Sequence, residues 1–492
     1  MEIRSLRGNM KKLNFLLIPI LTLFILGGCS SNPYVKEIPK EQYVVMLSLD
    51  GCRWDYPQMA HMPNLESIAR DGVKLESLQP SFPSKTFPNH YSIATGLYPD
   101  NHGIVQNSFY DPDMDAYYKI RDREAVENGD FYGGEPIWVT AEKQGLKTAS
   151  FFWVGSEAPV KGTYPTRWKP YDHNFPYEAR VDSVIAWLQL PKKERPRLIT
   201  WYYPEPDGVG HEFSPESIEV KEKLEYLDGL IGDFLAKIAE LPFADQVNVI
   251  VTADHGMARI SADKTIYFDD YIQTTWLDTA LGSNPMWMFD AKEGYEDSVY
   301  NNLKRASNIR IWWKDSIPEN LHYGSNPRVM DIVAAPDLNW SVGWRDREMP
   351  AGYIGGTHGY DPHYKDMHAI FYAAGPAFKN GYVHPTVENV NIYPLIARQP
   401  VLQARVVRIF RDGKGLTVET DLQPKLYEGV QLYIMEIVVD FGRYLSVPNE
   451  AIIEEKNQRL IYVQKEKHLY VPKELISGIR GELYTQVLEG PK

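Results

Sequence analysis

Four continuous apolar runs constrain this chain more than any other feature: "YVVMLSLDG" from Tyr43, "RLITWYYPEPD" from Arg197, "VNVIVTADHG" from Val247 and "MHAIFYAAGP" from Met367. Unbroken hydrophobicity over six to eight residues, bounded by turn formers, suits strands buried on both faces of a parallel sheet. Helical patterns lie between them. The clearest is "SPESIEVKEKLEYLDGLIGDFLAKIAEL", where Ser214 is expected to cap the helix and Pro215 to occupy its first position. Leu224, Leu227, Ile231, Phe234, Leu235 and Ile238 recur at helical spacing and predict one buried face. Strands alternating with helices imply an α/β fold with a mostly parallel central sheet and helices on both faces. At 492 residues the chain exceeds a single small domain.

In such sheets, reactive polar residues gather beyond the carboxyl ends of the strands. Three of the four runs end in or near an aspartate: Asp50, Asp207 and Asp254. "DGVGH" sets Asp207 and His211 four apart, on one face if helical, although that spacing also arises by chance. "TADHG" joins Asp254 to His255, and "GGTHGYD" carries His358 in a glycine-rich loop. Singly, these read equally as strand caps and turns. Together, three aspartates and three histidines form a mixed O/N donor set suited to two zinc ions. Paired cations about 4 Å apart can clamp a phosphoryl group and activate a hydroxyl. Thr86, in "PSFPSKTFPNHYS", is a hydroxyl such a pair could activate.

The N-terminus reads as an address. Arg4, Arg7, Lys11 and Lys12 precede "LNFLLIPILTLFIL" and "GGCSS", a signal-peptide pattern too short for a comfortable membrane span. "LGGC" resembles a bacterial lipobox, which implies cleavage before Cys29 and a lipid on its sulfur; a plain secretory signal is the alternative. Met10 offers a second possible start. With Cys29 lipidated, Cys52 has no partner, so no disulfide framework is expected. The net charge of −13 argues against a nucleic-acid-binding surface, yet bound cations could still bring anionic substrates to an acidic protein. The expected organisation is a signal peptide (1–28), a linker (29–41), a two-metal domain (42–400) and a β-rich module (401–492), in a periplasm-facing or surface-exposed envelope lipoprotein.

"SLDGCRWDY", "PSFPSKTFPNHYSIATGLYPDNHGI", "NSFYDP", "FWVGSEA", "YPEPDGVGH", "VTADHGM" and "GTHGYD" occur in the order seen in the nucleotide pyrophosphatase/phosphodiesterase family of the alkaline phosphatase superfamily. The chain resembles that family over about residues 42–398. The resemblance implies an alkaline-phosphatase-like fold and hydrolysis of nucleotide phosphodiesters or pyrophosphates, releasing a nucleoside monophosphate. It implies one zinc on Asp207, His211 and His358, and another on Asp50, Asp254, His255 and the Thr86 oxygen. Thr86 becomes the nucleophile, passing through a phosphothreonine, and Asn107 donates to the phosphoryl oxygen. Phe87 and Tyr171 flank a nucleotide base, unless both are simply core aromatics. No ligand role transfers to His90, His102, His363 or His368, which read as structural or solvent-facing. A phosphomonoesterase of the same superfamily is the nearer alternative, with Lys85 beside Thr86 the only adjacent cation. The formylglycine chemistry of sulfatases does not match "PSKTF".

Two segments depart from the family pattern. Residues 256–357 contain "SNIRIWWKDSIPENLHYGSN", which reads as a small cap-like subdomain. After "ENVNIYPLIA" the chain changes to strand, Asp-Gly turn, strand in "QARVVRIFRDGKGLTVETDLQP". "LSVPNEAII", "LIYVQK" and "GIRGELYTQVLEG" make residues 403–490 resemble the C-terminal part of periplasmic adaptor subunits of efflux pumps. That implies a transport partner in the envelope; an unrelated β module is the other reading. A transport-associated adaptor with an inactive phosphatase-like domain is the competing function.

Overall fold

A computed structural model describes residues 41–397 and strands between 406 and 489. The chain divides into two compact units at Gln403/Ala404. In the second unit every described element is a strand. Val406–Asp412 and Gly415–Thr420 pair antiparallel, and two three-stranded antiparallel sheets follow between 446 and 489.

The first unit is built on an eight-stranded sheet. Its strands in chain order are β1 (Tyr43–Leu49), β2 (Gly72–Leu75), β3 (Thr148–Phe151), β4 (Arg167–Lys169), β5 (Leu198–Tyr203), β6 (Val247–Thr252), β7 (Phe371–Ala374) and β8 (Tyr382–His384). Across the sheet they run β8-β2-β7-β6-β1-β5-β3-β4. All pairings are parallel except those of β7, which runs antiparallel to both β6 and β2. The apolar runs are therefore the sheet centre, and β1, β5 and β6 are buried along their whole length. Leu49 pairs with Tyr203 and Ser48 with Thr252, so the three central strands end in one row.

The long helix starts later than its sequence suggests. It spans Ile218–Ala239, and its cap is Ser217, whose side chain accepts from Val220 N. Ser214 instead closes a preceding helix (Asp207–Phe213) at φ 85°, its N–H donating to Gly210 O. A residue committed to ending one helix cannot also cap the next. Leu224, Leu227, Ile231, Phe234 and Ile238 are buried as the periodicity predicts, and Leu235 sits half-buried at the margin. Burial of each such side chain contributes about 2 kcal/mol.

The cap-like segment is a four-stranded antiparallel sheet, ordered 277–283, 286–291, 332–336, 309–313. A helix (Glu296–Leu303) packs on it through Val299 and Leu303, with a separate core around Phe268, Phe289 and Ile332. Arg328, just before its third strand in that order, donates to Asp111 Oδ2 (2.7 Å), Gly103 O (2.8 Å) and Phe131 O (2.6 Å). These bonds anchor the hairpin that follows Asn107.

Candidate active site

The row of strand ends delivers the acids. Asp50 follows β1, Asp207 opens the helix after β5, and Asp254 lies two residues beyond β6. Two glycines make the crowding possible. Gly51 adopts φ 68°, and a Cβ there would stand 3.0 Å from Asp207; its N–H donates to Asp254 Oδ1 (3.1 Å). Gly256 passes so close to the 366–368 segment that a Cβ would lie 2.1 Å from Asp366 O.

Two groups of donors result. Asp207, His211 and His358 form one: His211 Nε2 is 3.4 Å from Asp207 Oδ2, and His358 Nε2 is 3.5 Å from Asp207 Oδ1. The helix Asp207–Phe213 sets the first pair one turn apart. Asp50, Asp254 and His255 form the other: His255 Nε2 is 3.0 Å from Asp254 Oδ2 and 3.5 Å from Asp50 Oδ1. The groups adjoin, because the rings of His255 and His358 stack with centroids 3.5 Å apart.

Their hydrogen bonds fit a cation in each. His211, His255 and His358 each direct Nδ1 at a backbone carbonyl: Gly356 O (2.8 Å), Gly256 O (2.9 Å) and Ser84 O (2.9 Å). A carbonyl only accepts, so each Nδ1 carries the proton and each Nε2 turns a lone pair inward. The facing carboxylate atoms, Asp50 Oδ1, Asp207 Oδ1 and Asp254 Oδ2, are buried without a donor. Acceptor facing acceptor is unfavourable unless a positive charge lies between them. Donors about 2.1 Å from one tetrahedral cation stand about 3.4 Å from each other, close to the separations in both groups. The remaining Asp50 oxygen is held by the Tyr202 hydroxyl at 2.6 Å.

Charge follows the same geometry. Burial, then the neighbouring Asp254 and Asp207, pushes the Asp50 carboxyl well above its usual range. Burial also opposes ionisation of Asp254, but His255 and His90, when protonated, outweigh it and hold that carboxyl low; a bound cation would take the place of that charge. Burial holds His358 well below the usual histidine range, as a neutral ligand requires.

Thr86 opens a ten-residue helix, Thr86–Thr95. Across residues 80–95 only Thr86 and Phe87 are partly exposed; the rest of that stretch is buried. Thr86 Oγ1 lies 3.3 Å from His255 Nε2, at the edge of the Asp50 group. The start of the helix also turns its positive end towards the site. Asn107 Oδ1 accepts from Phe87 N (3.1 Å), which orients the side chain and leaves its NH2 to donate. Phe87 rests against Tyr118, whereas Tyr171 is 36% exposed and packs on Phe152. Lys85 is buried, and its ammonium is committed to Asn284 O (2.6 Å) and Ser283 Oγ (3.3 Å) at the tip of a hairpin of the small sheet. Burial lowers its pKa to about 7.

Of the histidines given no ligand role, His102 is buried against Ser92 Oγ (2.9 Å) and His363 is exposed beside Asp361. His368 is buried with Nδ1 on Ser77 Oγ (2.8 Å). His90 is different: fully buried, it places Nδ1 3.3 Å from Asp254 Oδ2. Sequence reasoning missed that contact, although its position four residues after Thr86 was a signal that both share a helix face. Cys29 lies outside the described residues.

The family model "Type I phosphodiesterase / nucleotide pyrophosphatase" matches residues 44–361. The chain belongs to this family. It is 36% identical to ectonucleotide pyrophosphatase/phosphodiesterase family member 1 of Homo sapiens, over 72% of this chain and 39% of that protein. It is 36% identical to venom phosphodiesterase CdcPDE of Crotalus durissus collilineatus, over 72% of this chain and 43% of that one. The chain thus spans about two fifths of the length of these relatives. Among solved structures, murine ectonucleotide pyrophosphatase/phosphodiesterase 5, in an inactive threonine-to-alanine form in complex with AMP, superposes with a TM-score of 0.70. That match has 31% identity and covers 73% of this chain and 94% of the other. The alkaline-phosphatase-like fold of this metalloenzyme family is thus the fold of the first unit. The family match stops at residue 361 and lends no support to an adaptor likeness for residues 403–490.

Proposed function

We propose that this protein is a two-zinc phosphodiesterase that cleaves nucleotide phosphodiester or pyrophosphate bonds and releases a nucleoside monophosphate. The observation that carries the reading is the pair of adjoining donor groups with Thr86 Oγ1 at the edge of one. Asp207, His211 and His358 would hold one zinc, and Asp50, Asp254, His255 and Thr86 Oγ1 the other. Bound zinc would supply Lewis acidity that eases loss of the threonine proton and offsets phosphoryl charge. Thr86 Oγ1 then attacks phosphorus in line, the bond to the leaving oxygen breaks, and water hydrolyses the resulting phosphothreonine. Asn107, held by the Phe87 N–H, donates its amide to a phosphoryl oxygen. Phe87 and Tyr171 offer faces to a base. The inactive threonine-to-alanine relative holding AMP supports both a threonine nucleophile and a nucleotide ligand. The commitment of Lys85 to Asn284 and Ser283 favours a diester over a monoester, whose extra charge calls for a free cation. With zinc, the protein should hydrolyse a nitrophenyl ester of a nucleotide, and Thr86→Ala should lower kcat at least ~1000-fold with zinc retained. Undiminished turnover in that variant sinks the mechanism.

We also place the protein in the cell envelope, facing the periplasm or exterior and tethered through a lipid on Cys29. The charged, apolar leader ending in "LGGC" supports this. Among the described residues no helix is long and apolar enough to cross a membrane. Cells should incorporate labelled palmitate into the full chain and not into Cys29→Ser; equal labelling refutes the anchor.

A further inference from the structure

We propose that His90 is a positioning residue that sets the nucleophile's backbone against the Asp254 metal group; this rests on Thr86 being the nucleophile. The first turn of the Thr86 helix is tied at Lys85 O, which accepts from Asn89 N (3.1 Å) and Asn89 Nδ2 (2.8 Å), but its leading N–H groups give Thr86 itself no such anchor. Its cap, Lys85, makes no side-chain capping bond, the Phe87 N–H is taken by Asn107, and Pro88 has no N–H to offer. Thr86 is also one of the two half-exposed positions in this buried segment. Something else must keep Oγ1 in register with His255.

His90 supplies the tie from below. Its Nδ1 lies 3.0 Å from Thr86 O and its Nε2 2.9 Å from Ser48 Oγ. Thr86 O can only accept, so Nδ1–H donates to it, and Nε2 takes the Ser48 hydroxyl proton. Ser48 sits on β1, two residues before Asp50, so the ring is referenced to the strand that carries a ligand. The ring cannot swing away: Trp153 and Tyr202 both meet it edge-on at 5.2 Å, and Trp153 Nε1 donates to His90 O at 3.1 Å. Tyr202 in turn donates to Asp50 Oδ2. The Nδ1–H that holds Thr86 O also lies 3.3 Å from Asp254 Oδ2, an oxygen without a donor of its own. One N–H thus bonds the nucleophile's carbonyl (3.0 Å) and lies farther from the ligand oxygen (3.3 Å), so the ring relates the two. Outer-shell partners of metal ligands commonly change metal affinity or activity by about 10- to 100-fold.

The two amide replacements divide the ring's functions. His90→Asn keeps a donor near the place of Nδ1 and loses the Ser48 contact; His90→Gln reaches towards Ser48 and loses the donor at Thr86 O. Zinc affinity measured by competition with a chromophoric chelator, kcat and KM on a nucleotide nitrophenyl ester, and the thermal midpoint should be compared for both variants and the parent. The expected result is His90→Asn within ~10-fold of the parent in kcat and zinc affinity, and His90→Gln at least ~10-fold below His90→Asn in both. KM should be unchanged, and the two thermal midpoints should agree. Equal zinc affinity and kcat in the two variants, or His90→Gln the better, overturns the proposal and leaves His90 a packing residue. A parent that binds zinc but does not turn over the ester refutes the functional reading alone, and the zinc comparison still decides the role of His90.

Discussion

The two donor groups use the same residue types and the same histidine tautomer, yet they are built differently. Asp50, Asp254 and His255 come from the ends of β1 and β6, adjacent strands at the sheet centre, and all three are buried. Asp207 and His211 share one short helix, and His358 comes from a loop beside the small sheet. There the side chain of His211 is 41% exposed and that of Asp207 17%. The inner group is part of the core and bears the electrostatic cost of its own carboxylates; the outer group keeps His358 buried and opens to solvent through His211 and Asp207. A buried set should be the tighter and less tolerant site, and the open set the exchangeable one.

The largest test of that contrast replaces one donor in each group. Asp50→Asn and His211→Asn should each lower activity more than ~100-fold, since losing a ligand exceeds the cost of losing its outer partner. Their metal-free stabilities should differ. Burial and two neighbouring carboxylates raise the Asp50 pKa in the native state, so native Asp50 gives up its proton reluctantly. The stability linked to that proton is present at low pH and is lost as pH rises through the native pKa. Without metal, Asp50→Asn should therefore be more stable than the parent, by a margin that grows with pH in urea titrations. His211→Asn, half-exposed, should change metal-free stability by less than about 1 kcal/mol. A destabilised Asp50→Asn would show that the inner carboxylates are not in conflict, and the contrast would fail.

The smallest effect lies beyond both groups. Tyr171 is more exposed than Phe87, so Tyr171→Ala should raise KM for a nucleotide about 5-fold, the low end of base stacking, and leave kcat alone. A nitrophenyl phosphodiester without a base should not respond. An equal response from both substrates would make Tyr171 a structural aromatic.

Much of the site could be read along the chain because the donors stand where apolar runs stop. Asp50 and Asp254 are within two residues of a strand end, and a buried strand must exit to the surface there. The helix start could not be read so well. Ser214 and Pro215 have the right chemistry to open a helix, but Ser214 is used to close the preceding one, and Ser217 takes the role. His90 went unassigned because its partners, Ser48 and Asp254, are 42 and 164 positions away in the chain.

What the sequence determined alone was the alternation of buried strands with amphipathic helices, with candidate donors at the strand ends and Thr86 as the candidate hydroxyl. These depend on hydrophobic periodicity and residue chemistry, both local. What only the tertiary structure decided was the unequal burial of the two donor groups, the inward turn of every Nε2, and the contact of His90 with Thr86 and Asp254. Those depend on which strands lie side by side and which carbonyls they bring near, and pairing across the sheet is a long-range outcome that no short stretch encodes.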